Sequence, residues 1–183
     1  IVTAVYDNAS SFQRCIDSVL AQSYPNVEYI VVDGGSPQPT LDILARNAGQ
    51  LDYYVSEPDQ GIYQAMNKGI ELARGDYVCL LNSDDVHDPD FVRRSVETAL
   101  ADPETVDIVY SDFYDGGTYL PAQPLNDGIL LGNLNVNHCT FLVRKECYDE
   151  IGPYATDLKI ISDMVWLRKA YTTGKRYKLL SEG

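Results

Sequence analysis

The tetrad Asn82-Ser83-Asp84-Asp85 sets two adjacent carboxylates directly after the apolar run DYVCLL at residues 76–81. Neighbouring ionised carboxylates repel each other and call for a cation. A hard divalent ion, Mg²⁺ or Mn²⁺, takes oxygen ligands of this kind, with phosphate oxygens and waters completing its shell. A solvated turn, with Asp88 capping the next helix, accounts for the same residues equally well. Acidic or aromatic groups end three other apolar runs: Tyr6-Asp7-Asn8, Asp33, and Glu57-Pro58-Asp59. Asp33, ahead of Gly34-Gly35-Ser36, can accept the imide N–H of a pyrimidine or a ribose hydroxyl, or simply begin a tight turn. Tyr6 can stack on a base or serve as a rim aromatic.

Within EPDQGIYQAMNKG, residues 57–69, Asp59 stands at a helix start, while Gln60, Gln64, Asn67 and Glu71 lie opposite the apolar stripe. An N-cap and a wet helix face describe these residues as well as a binding role does. Asp163 falls in the first turn of the last helix, after Ser162 as its cap, where the helix N-terminus favours the ionised form. Such a carboxylate beside a hydroxyl can act as general base, although dipole complementation alone explains it too. His138 opens a strand bordering this region, and Arg144 and Arg168 are the nearest phosphate or carboxylate partners.

The elements that must position these groups follow from periodicity. Phe12, Cys15, Ile16, Val19 and Leu20 mark a helix over 9–22, and further helices are expected at 39–48, 60–73, 89–101, 145–151 and 161–173. Apolar or β-branched runs predict strands at 1–6, 27–33, 51–56, 76–81, 106–111, 138–144 and 176–181. Residues 112–137, broken by Gly116-Gly117 and by Pro121 and Pro124, read as one long binding loop. Strand–helix alternation argues an α/β sandwich on a mostly parallel sheet, which binds ligands beyond the carboxyl ends of its strands. A single domain of 183 residues is expected, with 1–111 as nucleotide-binding half and 112–183 as acceptor-binding half.

Composition removes several classes. With 14 Lys+Arg against 27 Asp+Glu the net charge is −13, which repels nucleic acid and equally repels a small anion unless a cation intervenes. No G-x-G-x-x-G follows any strand, which speaks against a Rossmann dehydrogenase. The four cysteines show neither C-x-x-C nor metal-ligand spacing and read as reduced thiols of a cytoplasmic protein. No run approaches a membrane span and no signal peptide is evident. The start at Ile1 inside an apolar run suggests a fragment, truncated at both ends, whose missing segments are free to hold it at the inner face of the plasma membrane.

The ordered set TAVYDN, VVDGGS, EPDQGIYQAMNKGIELARGDYVCLLNSDD, NHCTFLVRKECYDEIGPY and ISDMVWLRK resembles the family 2 glycosyltransferases of the GT-A fold, in particular bacterial enzymes of O-antigen and surface-polysaccharide synthesis. The resemblance implies a three-layer α/β/α sandwich and an inverting, metal-dependent transfer from a nucleotide-diphosphate sugar, a UDP-sugar by preference. The acceptor would be a glycan or a lipid-linked sugar. It further implies Tyr6 and Asp33 at the base, Asp59 and Asn67 near the donor, and Asp84 toward ribose or sugar. Asp85 would hold a divalent cation, with Asp163 as base. Two departures stand out: Asp7 separates Tyr6 from Asn8, and Asn82 takes the first position of the DXD-like quartet. A sugar-phosphate nucleotidyltransferase is the rival enzyme, but residues 1–12 lack the glycines of its phosphate loop. A non-catalytic nucleotide- or glycan-binding domain is the rival of another class.

Overall fold

Val2–Val5 (β1) and Ile30–Asp33 (β2) are buried at every position, as parallel strands covered by helices on both faces must be. The computed structural model describes residues 1–102, 106–131 and 135–180. Its central sheet runs β3 (Tyr53–Ser56), β2, β1, β5 (Leu80–Asn82), all parallel, with Val2 opposite both Ile30 and Leu80. A mixed sheet continues it in the order β10 (Tyr177–Leu179), β6 (Ile108–Tyr110), β9 (Leu142–Arg144), β4 (Tyr77–Val78).

The single strand expected over 76–81 is therefore two. Tyr77 and Val78 pair antiparallel with β9, then the chain turns at Cys79, whose carbonyl accepts from Val2 N–H at 2.9 Å. Leu80–Asn82 continue beside β1. One extended segment thus stitches the two sheets together and delivers the acidic tetrad to the carboxyl edge.

Alternation along the strands builds the layers. Val5, Val31 and Leu81 meet Phe12, Ile16 and Val19 of α1 (Phe12–Leu20) and Ile43 and Leu44 of α2 (Gln38–Asn47). On the other face Val2, Ala4, Ile30 and Val32 meet α3 (Ile62–Leu72), α6 (Lys145–Ile151) and α7 (Ser162–Thr172) through Met66, Ile70, Cys147 and Leu167. α4 (Phe91–Ala101) covers the sheet junction with Phe91, Val92 and Val96 against Cys79, Val109 and Leu142. The result is the GT-A-type three-layer sandwich. No helix among the described residues is long and apolar enough to cross a membrane.

Several local expectations need correction. The supposed loop 112–137 contains a hairpin, β7 (Phe113–Asp115) and β8 (Thr118–Leu120), turned by Gly116 and Gly117 at φ 54° and 84°. Positive φ at both central residues matches the twist of paired strands. A short helix, α5 (Gly128–Leu131), follows. Asp112 anchors the segment by accepting from Ala122 N–H and Tyr119 O–H, each at 2.6 Å. α4 begins at Phe91 after Asp90, not at Asp88-Pro89, because the Asp88 carboxylate closes its own turn on Asp90 N–H at 2.9 Å. Residues 132–134 of the expected loop and residue 181 of the last strand lie outside the described residues.

α3 packs so closely on β1 that a Cβ on Gly69 would lie 2.1 Å from Val2 Cγ1. Gly69→Ala is expected to cost about 1–3 kcal/mol through overpacking. Urea denaturation should show the loss, and Val2→Ala in the same chain should recover part of it. Equal stability of Gly69→Ala and wild type would contradict this packing.

Candidate functional site

The loops after β1, β2, β3 and β5 enclose a cleft of about 980 Å³. Hydrogen bonds lash them together: Asp7 N–H donates to Ser36 Oγ at 2.9 Å, and Asn8 Nδ2 donates to Ser83 Oγ at 2.9 Å. Asp7 holds φ 46°, a left-handed conformation that Asp tolerates at modest cost. Beside it Tyr6 stands 67 % exposed at the cleft wall, presenting a free aromatic face.

Asp33 does not reach the cleft surface. Its residue is fully buried, and its carboxylate accepts from Gly35 N–H, Ser36 N–H and Ser56 O–H, the last at 2.6 Å. Direct contact with a base is thus replaced by a turn-building role. Asp59 lines the cleft and accepts from Gly61 N–H at 2.8 Å, so it shapes the entry to α3 two residues before the cap itself, Gly61. Gly34 makes room for it, since a Cβ there would lie 2.7 Å from Asp59 Oδ2.

Two other expected residues lie elsewhere. The Asn67 amide is consumed by the Tyr154 backbone, donating to its carbonyl and accepting from its N–H, both at 2.9 Å. It ties α3 to the loop before α7 rather than binding a donor. Arg144 sits at the far end of β9, donates to Val106 O at 3.0 Å and lies over the Tyr77 ring. β9 carries it away from the cleft edge that the turn before β9 occupies.

Asp84 is exposed in the cleft, while half-buried Asp85 accepts at Oδ2 from the Cys139 thiol at 3.1 Å. Among the described residues neither forms an ion pair with Lys, Arg or His, and no cluster of three His, Cys, Asp or Glu groups is arranged to hold a metal. The protein therefore offers carboxylate oxygens to a cation but not a full shell. That fits a hard ion completed by phosphate oxygens and water.

Asp163, on α7, is joined to the acidic tetrad through His138. Tyr63 O–H on α3 donates to its Oδ1 at 2.9 Å, and His138 Nδ1 meets its Oδ2 at 3.1 Å. His138 does not open a strand. It begins a 3₁₀ turn, His138–Thr140, capped by the Asn137 side chain. Its Nε2 lies 3.3 Å from Asn82 Oδ1 and 3.4 Å from Cys139 Sγ. A continuous contact path thus runs from Asp163 through His138 and Cys139 to Asp85. Burial works against ionisation of Asp163, but the bond and charge of His138, the Tyr63 hydroxyl and Met164 N–H outweigh it and hold the carboxyl below its usual value. Burial and the Asp163 charge push the Tyr63 phenol up to about 12. The cap of α7 is Ile161, at φ 70°, and Ser162 is buried inside the first turn.

Sequence reasoning passed over Tyr63, which sits on the apolar stripe of α3, and over Cys139. Their partners stand 100 and 54 residues away, a separation that local periodicity does not carry.

Comparison with known proteins places this geometry. The model of the family described as Glycosyl transferase family 2 matches residues 1–163. A PGL/p-HBAD biosynthesis glycosyltransferase of Mycobacterium tuberculosis is 32 % identical over 168 residues, covering 89 % of this chain and 65 % of the relative. The chain therefore spans slightly under two thirds of that protein's length. S. aureus TarS 1–349 in complex with UDP-GlcNAc superposes with a TM-score of 0.79 at 20 % identity, over 100 % of this chain and 55 % of its own. The mannosyltransferase PcManGT from Pyrobaculum calidifontis, in complex with GDP-Man and Mn²⁺, gives 0.72 at 20 % identity over 97 % and 53 %. These two likenesses concern the fold.

A second histidine supports the 3₁₀ turn. His87 is buried, stacks on Phe91 at 4.2 Å between ring centroids, and joins Cys139 O through Nε2 at 2.7 Å. Burial lowers its pKa from 6.5 to about 4, so the unfolded chain binds a proton that the native state refuses. Stability from this group is complete above pH 6.5 and drains away as pH falls toward 4. Between pH 7 and pH 5 the loss should be about 2 kcal/mol, read by urea denaturation at both values. His87→Gln should flatten that slope; an unchanged slope would remove His87 as its source.

Proposed function

The chain belongs to glycosyl transferase family 2, and from that premise we propose that it moves a sugar from a nucleotide-diphosphate sugar to an acceptor hydroxyl with inversion, in the assembly of a surface polysaccharide or glycolipid. The observation that carries this reading is the doubly hydrogen-bonded Asp163, joined through His138 to Asn82 at the cleft wall, at the head of the tetrad whose Asp84 lines the cleft and whose Asp85 leans on Cys139. A UDP-sugar is the favoured donor, in line with the UDP-GlcNAc complex of TarS. The acceptor is a glycan or lipid-linked sugar. Tyr6 would lie on the base, the Gly34-Gly35 backbone and Asp59 would flank it, and Asp84 would face the ribose or sugar.

Asp85 is the residue best placed to hold a divalent cation, a role in keeping with the Mn²⁺ that accompanies GDP-Man in PcManGT. When bound there, such an ion offsets the charge of the diphosphate as a Lewis acid. The protein's own part is proton transfer. An acceptor O–H placed against Asp163 gives its proton to the carboxylate while its oxygen bonds to the anomeric carbon. The bond from that carbon to the diphosphate oxygen breaks, and its electron pair leaves with the diphosphate. Attack from the face opposite the leaving group inverts the centre in one displacement. Because Asp163 is held below the usual carboxylate range, it is ready to accept a proton at neutral pH.

Calorimetry with UDP and GDP, each with and without Mn²⁺, tests the donor side. Mn²⁺-dependent binding of one nucleotide is expected in wild type, and it should fall at least tenfold in Asp85→Ala. Asp163→Asn should keep that affinity within about twofold while cutting release of nucleoside diphosphate from the matching nucleotide sugar by about 10²–10⁴-fold. Tight nucleotide binding with no turnover in wild type would favour the binding-domain alternative, and full turnover in Asp163→Asn would remove Asp163 as base.

A further inference from the structure

We propose that His138 is the positioning residue that fixes the Asp163 carboxylate for proton transfer, with Tyr63 as its counterpart on the other oxygen. The proposal rests on Asp163 being the base. A carboxylate terminates a broad, roughly two-fold torsion, so on its own it presents either oxygen over a wide arc. Here each oxygen is tied from a different side, Oδ1 by Tyr63 of α3 and Oδ2 by His138 of the 3₁₀ turn. An ionised carboxylate only accepts hydrogen bonds, so the proton on this edge of the imidazole belongs to Nδ1. With Met164 N–H also donating to this carboxylate, one of its four acceptor sites is left for an acceptor hydroxyl.

His138 is itself immobilised. Asn137 Oδ1 accepts from Cys139 N–H at 2.9 Å, and Thr140 Oγ1 donates to Asn137 O at 2.8 Å, which closes the turn from both ends. The far edge of the ring rests on Asn82 and Cys139, and its side chain is only 16 % exposed. A ring so held transmits the position of β5, where Asn82 ends the strand, to a carboxylate on α7. The distance between the base and the acidic tetrad is thereby set by side-chain contacts and does not depend on the long intervening stretch of chain.

The test combines kinetics with a readout that needs no substrate. Turnover is measured as UDP release from UDP-GlcNAc as probe, alongside Mn²⁺-dependent UDP affinity by calorimetry and thermal melting as a check of folding. His138→Ala is expected to lower kcat by about 10–10²-fold with donor KM and UDP affinity unchanged. Asn places an amide N–H near the position of Nδ1, so His138→Asn should recover most of the loss, as should added imidazole with His138→Ala. The sequence holds only two histidines, so ¹⁵N NMR resolves the ring of His138. A protonated Nδ1 is expected in wild type, with its N–H signal weakened by fast exchange in Asp163→Ala.

Wild-type kcat in His138→Ala, or an unprotonated Nδ1 in wild type, would overturn the proposal while leaving the glycosyltransferase reading intact. Lost UDP affinity in His138→Ala would also overturn it, by assigning the ring to the cation instead. Full turnover in Asp163→Asn would bring down the base assignment and this inference with it.

Discussion

The Asp163 carboxylate, held between a phenol and an imidazole, is the interaction on which the rest of the structure converges. Burial alone would raise the cost of its charge. Two side-chain donors and a helix N-terminal N–H reverse that cost. Those donors come from α3, from the turn before β9 and from α7 itself, so the chain must fold completely before the carboxylate is set. The bond between Tyr63 and Asp163 spans residues 1–111 and 112–183, the two halves that the sequence suggested. Asn67 and Tyr154 form a second clasp between the same halves, through backbone groups that need no particular side chain at 154.

Electrostatics explains why the cleft is acidic in a protein of net charge −13. Several of the protein's carboxylates are engaged. Asp33 builds a turn, Asp59 closes the approach to α3, and Asp107 takes a two-pronged ion pair with Arg176 at 3.0 Å. Asp84 and Asp85 differ: they lie beyond β5, one exposed and one leaning on a thiol, with no Lys or Arg ion pair among the described residues. Carboxylates so placed suit an anionic ligand that is accompanied by a cation.

Much of the fold was legible because its signals are local. The period of α1, the continuous burial of β1 and β2, and Gly75 after α3 follow from side-chain size and spacing. The splitting of 76–81 was not, since whether Val78 and Leu80 pair with one neighbour or two is decided by β1 and β9. The Gly116-Gly117 hairpin was readable in principle, but the prolines around it suggested irregularity. At the site, residue types at strand ends pointed to Tyr6, Asp59 and Asp84, which line the cleft, and the first turn of the last helix pointed to Asp163. Asp33 and Asn67 are engaged by partners that the sequence does not reveal, the Gly35 and Ser36 N–H groups and the Ser56 hydroxyl for the first and the Tyr154 backbone for the second. Arg144 misled because adjacency to His138 in sequence says little along a strand that rises 3.2–3.4 Å per residue.

Hydrogen exchange with UDP and Mn²⁺ addresses the central claim, that a nucleotide diphosphate occupies the cleft beside Asp163. The molecule supplies its own control, a second cavity of about 310 Å³ at the opposite edge of the sheet, lined by Tyr24, Ala73 and Tyr77 among others. Protection of amides 34–36, 59–61 and 83–86, with residues 24–28 and 73–78 unchanged, is the expected result. Protection confined to the second set, or none at either edge, would contradict the account.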